Sequence, residues 1–135
     1  MLKAFSLILI FITGATWLLY AQTGDKTQSI VRGKEVYTSF CMNCHMENGE
    51  GQPNVYPPLA KADVLIKQPK KAIGNILVGL TGEITVNGKK YNVDMPAQNY
   101  LTDQQIADVI NYVCNSWGNK TKTVITLEMV KAERK

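Results

Sequence analysis

Cys41-Met42-Asn43-Cys44-His45 is the stretch on which the reading of this 135-residue chain turns. Two thiols three positions apart, followed at once by a histidine, are what covalent attachment of a c-type haem requires. Each cysteine sulfur adds to one vinyl group of the porphyrin. The adjacent histidine then lies beneath the iron as the proximal ligand, through a neutral imidazole nitrogen. His45 is the only histidine in the chain. A Cys-x-x-Cys pair also reads as a redox dithiol or as half of a zinc site. The dithiol has no need of the adjacent histidine, and no second Cys-x-x-Cys or His-x-x-x-His completes a tetrahedral zinc shell.

On the N-terminal side of the motif, Ile30, Gly33, Tyr37 and Phe40 follow helical spacing, with Ser29 as the expected N-cap of a helix over about residues 30–40. A glycine within such a stripe costs on the order of 1 kcal/mol against alanine, and close approach of another helix is the reason to expect for it. On the C-terminal side, Met46 to Lys61 holds Gly49, Gly51, Pro53, Pro57 and Pro58 and reads as loop. A short helical turn is expected over Lys61 to Ile66. A better helix opens at Pro69, turns Ile73, Ile76 and Leu77 inward and stops at Gly79. Asn87-Gly88 between β-prone residues predicts a small two-stranded hairpin over Ile84 to Tyr91. Thr102 with Gln105 forms a capping box for a final helix whose stripe is Ile106, Val109, Ile110 and Val113, ending near Trp117-Gly118.

The beginning of the chain reads as a targeting element. Lys3 supplies a positive start, and Ala4 to Ala21 carries no charge and is rich in Leu, Ile, Phe and Trp. Residues 1–21 are therefore expected to be an export signal cleaved after Ala21, or an uncleaved N-terminal membrane anchor, since Leu19 is a poor residue for the cleavage site. Residues 22–28 read as a linker, 29–119 as one domain and 120–135 as a basic, solvated C-terminal tail. The formal net charge is +4, and residues 1–21 contribute only Lys3 to it. That is no nucleic-acid-binding excess.

One histidine leaves a second axial position on iron to be filled or left open. Met1 belongs to the leader, Met42 and Met46 are too close to His45 to reach the opposite haem face, and Met129 lies in the charged tail. Met95 stands in a loop, Asp94-Met95-Pro96, between the hairpin and the last helix. It reads either as the sixth ligand or as the flexible core filler that methionine often is.

The run CMNCHMENGEGQPNVYPPLA, with GLTGEITVNGKKYNVDMPAQNYLTDQQIADVINYVCNSWGN after it, resembles the class I monohaem cytochrome c domain. It is most similar to the branch found as cytochrome subunits of quinoprotein dehydrogenases and as the domain fused to some copper nitrite reductases. The resemblance covers about residues 29–119. It implies a mainly α fold, three to five short helices around one covalent haem c, with a small hairpin before the distal ligand loop. It implies thioether attachment at Cys41 and Cys44, with His45 and Met95 as axial ligands. It also implies that the Pro57 carbonyl accepts a hydrogen bond from the proximal imidazole, with Tyr56, Leu59 and Tyr91 in the haem environment. In this family the first and last helices cross at a glycine and aromatic contact, which would bring Gly33 and Tyr37 to Val109 and Tyr112. Cys114 departs from the family pattern and is an odd thiol in an exported protein. Asn119-Lys120-Thr121 is formally a glycosylation sequon, meaningful only on a eukaryotic secretory route.

The function that follows is a periplasmic one-electron carrier and not an enzyme. Its partners would be periplasmic or membrane redox proteins: a dehydrogenase, a copper nitrite reductase or a terminal oxidase. The alternatives are a haem-bearing subunit of a membrane dehydrogenase, reductase or oxidase complex, and a ligand-binding haem protein with a displaceable methionine.

Overall fold

The computed structural model describes residues 25–134. The leader expected over residues 1–21 lies outside the described residues. Within them, α1 is helical over 25–40, and α2 (Met42–His45) is the single turn that carries the haem motif. After a long loop come α3 (Asp63–Lys67) and α4 (Lys71–Val78), the antiparallel hairpin β1 (Ile84–Val86) and β2 (Lys89–Tyr91), then α5 (Asp103–Val113) and α6 (Leu127–Glu133). No helix among the described residues is long and apolar enough to cross a membrane.

α5 is the axis of the molecule. Its N-terminus is closed by the Thr102–Gln105 capping box, in which each side chain bonds the other's backbone N–H. Beyond the expected stripe it also buries Ala107, Asp108 and Asn111, so more than one face of the helix is covered. It stops at Cys114, three residues before Trp117, and the chain turns through Trp117 and Gly118, both at positive φ.

α1 crosses α5 at Gly33. A Cβ there would run into the backbone carbonyl of Asp108 and come within 2.8 Å of Tyr112 Cβ, so only glycine lets the two backbones meet. One turn on, Tyr37 is fully buried against Tyr112 and Trp117, with ring centroids 5.5 and 4.9 Å away. The crossing is pinned by a buried carboxylate. Asp108 accepts bonds from Ser29 Oγ (2.6 Å), Arg32 Nε (2.7 Å) and Nη2 (2.9 Å), and Gln104 Nε2 (2.9 Å). Ser29 is thus not an N-cap. α1 already includes residues 25–28, expected as linker, and the Ser29 hydroxyl faces a partner on α5 instead of its own helix end.

The hairpin forms in the expected place, pairing Ile84 with Tyr91 and Val86 with Lys89. Its turn residues, Asn87 and Gly88, have φ of 51° and 75°, the positive values that a primed turn needs.

The C-terminal stretch departs most from expectation. The basic side chains Lys120, Lys122 and Lys131 are exposed as expected, but the stretch also forms α6, laid antiparallel on α5 with Val130 and Ile125 buried. Asn111, buried on α5, donates to the Ile125 carbonyl (2.9 Å) and accepts from the Ile125 N–H (2.8 Å), as a neighbouring strand would. Lys26, near the start of the described residues, donates to the Thr121 carbonyl, tying α1 to the segment between α5 and α6.

Candidate functional site

The haem motif faces a mainly apolar cleft that is partly open to solvent. Cys41, Cys44 and His45 form one side of it. Opposite in sequence but in the same cleft are Leu80, Val93, Asp94, Met95 and Pro96, and its floor is Val109, Ile110 and Val113 of α5. The two motifs that the sequence separates by fifty residues therefore open onto one space.

His45 is oriented by the loop that follows it. Its Nδ1 lies 3.0 Å from the Pro57 carbonyl oxygen, which can only accept, so Nδ1 carries the proton and Nε2 keeps its lone pair. Burial pushes the imidazole pKa below its ordinary value, while the bond to Pro57 pulls it back up. The neutral ring is the form that binds a metal. The loop reaches His45 because Gly51, at φ 66°, presents no side chain to it. A Cβ there would strike the Tyr56 and Pro57 carbonyls. The Gly51 N–H also donates to the His45 carbonyl (3.0 Å). Tyr37 locks the exit from α2 by donating its hydroxyl to the Met46 carbonyl at 2.5 Å.

Met95 is held by a two-way backbone bridge to Leu80, each N–H donating to the other's carbonyl at 2.9 Å. Burial, with the neighbouring Cys44 sulfur, pushes the Cys41 thiol up to about 11. Cys41 and Cys44 are half-buried at the cleft wall.

Tyr56, Pro57 and Leu59 line the cleft. Tyr91, expected in the haem environment, does not: it is buried in the core, and the wall beside the hairpin is made by Ile84, Val86 and Val93. The larger part of the lining was not named from sequence, notably Phe40, Leu65, Ile76, Leu80 and Leu101. These residues come from α1, α3, α4 and the loops around Met95, and their apolar periodicity marks them as inward without saying that they meet a cleft.

Two further positions are settled by burial. Cys114 is 3% exposed, its Sγ faces the Leu65 carbonyl at 4.0 Å, and burial pushes its thiol up to about 11. It packs; it offers nothing to a partner's thiol. Asn119, the acceptor of the sequon, is 1% exposed and donates its side-chain amide to the Leu59 and Val113 carbonyls, so it cannot carry a glycan in this fold.

A covalent haem fits these residues. Two thiols, an imidazole nitrogen with a free lone pair and a thioether sulfur all open onto one mainly apolar cleft, which is the donor set and lining the group demands. No His, Cys, Asp or Glu cluster suited to a bare metal ion exists among the described residues.

Comparison with known proteins points the same way. The family model described as Cytochrome c matches residues 30–117. Cytochrome c-552 of Thermus thermophilus is 39% identical over 111 residues, covering 79% of this chain and 74% of its own. The cytochrome c subunit of the quinone alcohol dehydrogenase of Gluconobacter oxydans is 35% identical over 96 residues, covering 70% of this chain but 20% of its own. The gluconate 2-dehydrogenase cytochrome c subunit of Pantoea cypripedii is 34% identical over 117 residues, 83% of this chain and 25% of its own.

Proposed function

This chain belongs to the cytochrome c family, and on that premise we propose that it carries single electrons outside the cytoplasmic membrane with His45 and Met95 as the axial ligands of its iron. Haem c, attached covalently in this family, supplies the one-electron couple. The protein transfers electrons and is not itself an enzyme. The observation that carries the ligand assignment is that Met95 shares one cleft with Cys41, Cys44 and His45, whose Nδ1 is already committed to Pro57.

The residues of the chain do four things there. Cys41 and Cys44 tether, His45 binds through Nε2, and Pro57 fixes the ring and raises its basicity as a ligand. Met95, from the same cleft, would supply a thioether to the iron, which raises the potential relative to a second nitrogen. Held by both His45 and Met95, the group would offer no open position to a substrate and would supply one-electron exchange alone.

Dehydrogenase-type redox proteins are the partner class that the similar proteins support. Copper nitrite reductase or a terminal oxidase on the other side of the transfer, and export to the periplasm with residues 1–21 as signal or anchor, belong to the proposal. The same similarity supports a second reading, in which the chain works as the haem subunit of a dehydrogenase complex; co-purification from the native membrane separates the two.

Carbon monoxide added to the reduced holoprotein tests the ligand assignment. Little or slow spectral change is expected. Met95→Ala should form the adduct at once, lose the sulfur-to-iron charge-transfer band when oxidised, and show a lower potential. An immediate adduct in the unmodified protein would favour the ligand-binding alternative.

A further inference from the structure

We propose that Arg134 is a positioning residue for Met95, holding the far end of the loop that presents this side chain to the haem cleft. The inference rests on the reading of Met95 as the sixth ligand. The loop runs from Met95 to Leu101. Its near end is fixed by the Leu80 bridge and by the Gln98 N–H, which donates to the Ile76 carbonyl of α4 at 2.7 Å. Its far end, Asn99 and Tyr100, is an exposed turn with no regular structure of its own before Thr102 caps α5.

The guanidinium of Arg134 closes that end. Nη1 donates to the Asn99 carbonyl (2.7 Å), Nη2 to the Leu101 carbonyl (2.6 Å) and Nε to Asp103 Oδ1 (2.6 Å). Each of its three nitrogens thus holds a different residue of the loop or of the first turn of α5. Leu101 is itself part of the cleft wall and 3% exposed, so fixing its carbonyl fixes a surface of the site. A planar fork with donors in fixed directions is what three separate acceptors require; an ammonium on a flexible stem cannot span them. Arg134 reaches this place because α6 lies antiparallel to α5, which brings its C-terminal end beside the α5 N-terminus. Its register is set by Val130 and by the Asn111–Ile125 pair. The clamp comes from residues beyond the matched family segment, which ends at residue 117.

The test compares the holoprotein with Arg134→Ala, Arg134→Lys, Asp103→Asn and Met95→Ala. The readouts are the rate of cyanide binding to the oxidised form, the sulfur-to-iron charge-transfer band and the melting temperature. Arg134→Ala should bind cyanide about tenfold faster, the factor set by losing roughly one net charged hydrogen bond of loop restraint. Arg134→Lys should stay nearer to Ala than to the parent. Asp103→Asn should lower the melting temperature while leaving the cyanide rate near the parent's, because both carbonyl bonds survive. If Arg134→Ala melts lower but binds cyanide within about twofold of the parent, as an ordinary surface change would, while Met95→Ala is opened, Arg134 is structural only and the inference falls. If Met95→Ala leaves rate and band unchanged, the ligand reading fails first and takes the inference with it. Should Arg134→Ala not assemble, a parent-like cyanide rate in Arg134→Lys overturns the clamp.

Discussion

Gly51 and Pro57 together decide how strongly His45 can donate to an iron. The Pro57 carbonyl pulls on the Nδ1 proton, and Gly51 is the gap that lets the carbonyl come near. Gly51→Ala should push the loop outward, lengthen that bond and reduce the basicity of the ring. A less basic ligand stabilises ferric iron less, so the measured reduction potential should rise, with the haem still attached. Cys114 gives a second test at this scale. Its folded thiol titrates at about 11 against an ordinary value of 9.0, so the folded state holds the proton more tightly than the unfolded chain. The stability linked to it is complete below pH 9 and is lost as pH rises toward 11. Denaturant melts of Cys114→Ala should show a shallower fall over that interval than the parent; identical slopes would mean that the thiol is not buried in solution. Among single residues, the haem motif was legible because its spacing is chemical. Tyr91 was not, because a tyrosine in a hairpin reads the same whether it meets a cofactor or the core behind it.

Between elements, the α1–α5 crossing is the contact that places the haem motif, since α2 follows α1 after a single residue. Gly33→Ala should therefore be costly for its size, about 1–3 kcal/mol as an overpacking change, because the obstacle is the Asp108 backbone and not a side chain that could swing away. The check is the melting temperature beside an unchanged haem spectrum. This crossing and the hairpin could be read from sequence because each has a local mark, a glycine in a bulky stripe and Asn87-Gly88. α6 had none. Its buried apolar residues are few, its surface is charged, and the partner that fixes its entry, Asn111, lies fourteen residues away on a helix where it looked like an ordinary polar position. Ending the chain after Asn119 should remove the buried Ile125 and Val130, worth about 1.5–3 kcal/mol each, and leave Asn111 Oδ1 without the Ile125 N–H, while its amide keeps Ser29 Oγ. A large drop in stability is expected; a truncated protein melting with the parent would show that α6 is not docked.

Across the whole molecule, charge is too small to do much steering. The chain totals +4, one unit of it from Lys3, and two haem propionates would bring residues 22–135 to about +1. Lys90 is moreover paired with Glu83 at 2.9 Å. Apart from Asp94, the exposed part of the cleft lining is instead apolar: Phe40 and Val64 remain 41% and 43% exposed, and Tyr100 stacks edge-on against Phe40 with centroids 5.9 Å apart. A small, transient encounter that covers these side chains suits an electron-transfer contact. Its rate should consequently respond only weakly to salt, well short of the roughly tenfold or greater change that strong electrostatic steering gives. Placing a carboxylate within the rim, Phe40→Asp, should slow exchange with the redox partner more than Lys89→Glu on the hairpin does, because the first must be desolvated on contact and the second stays in water. Stopped-flow rates at low and physiological ionic strength measure both. A steep salt dependence, or a larger penalty at Lys89 than at Phe40, would move docking from the apolar rim to the basic hairpin.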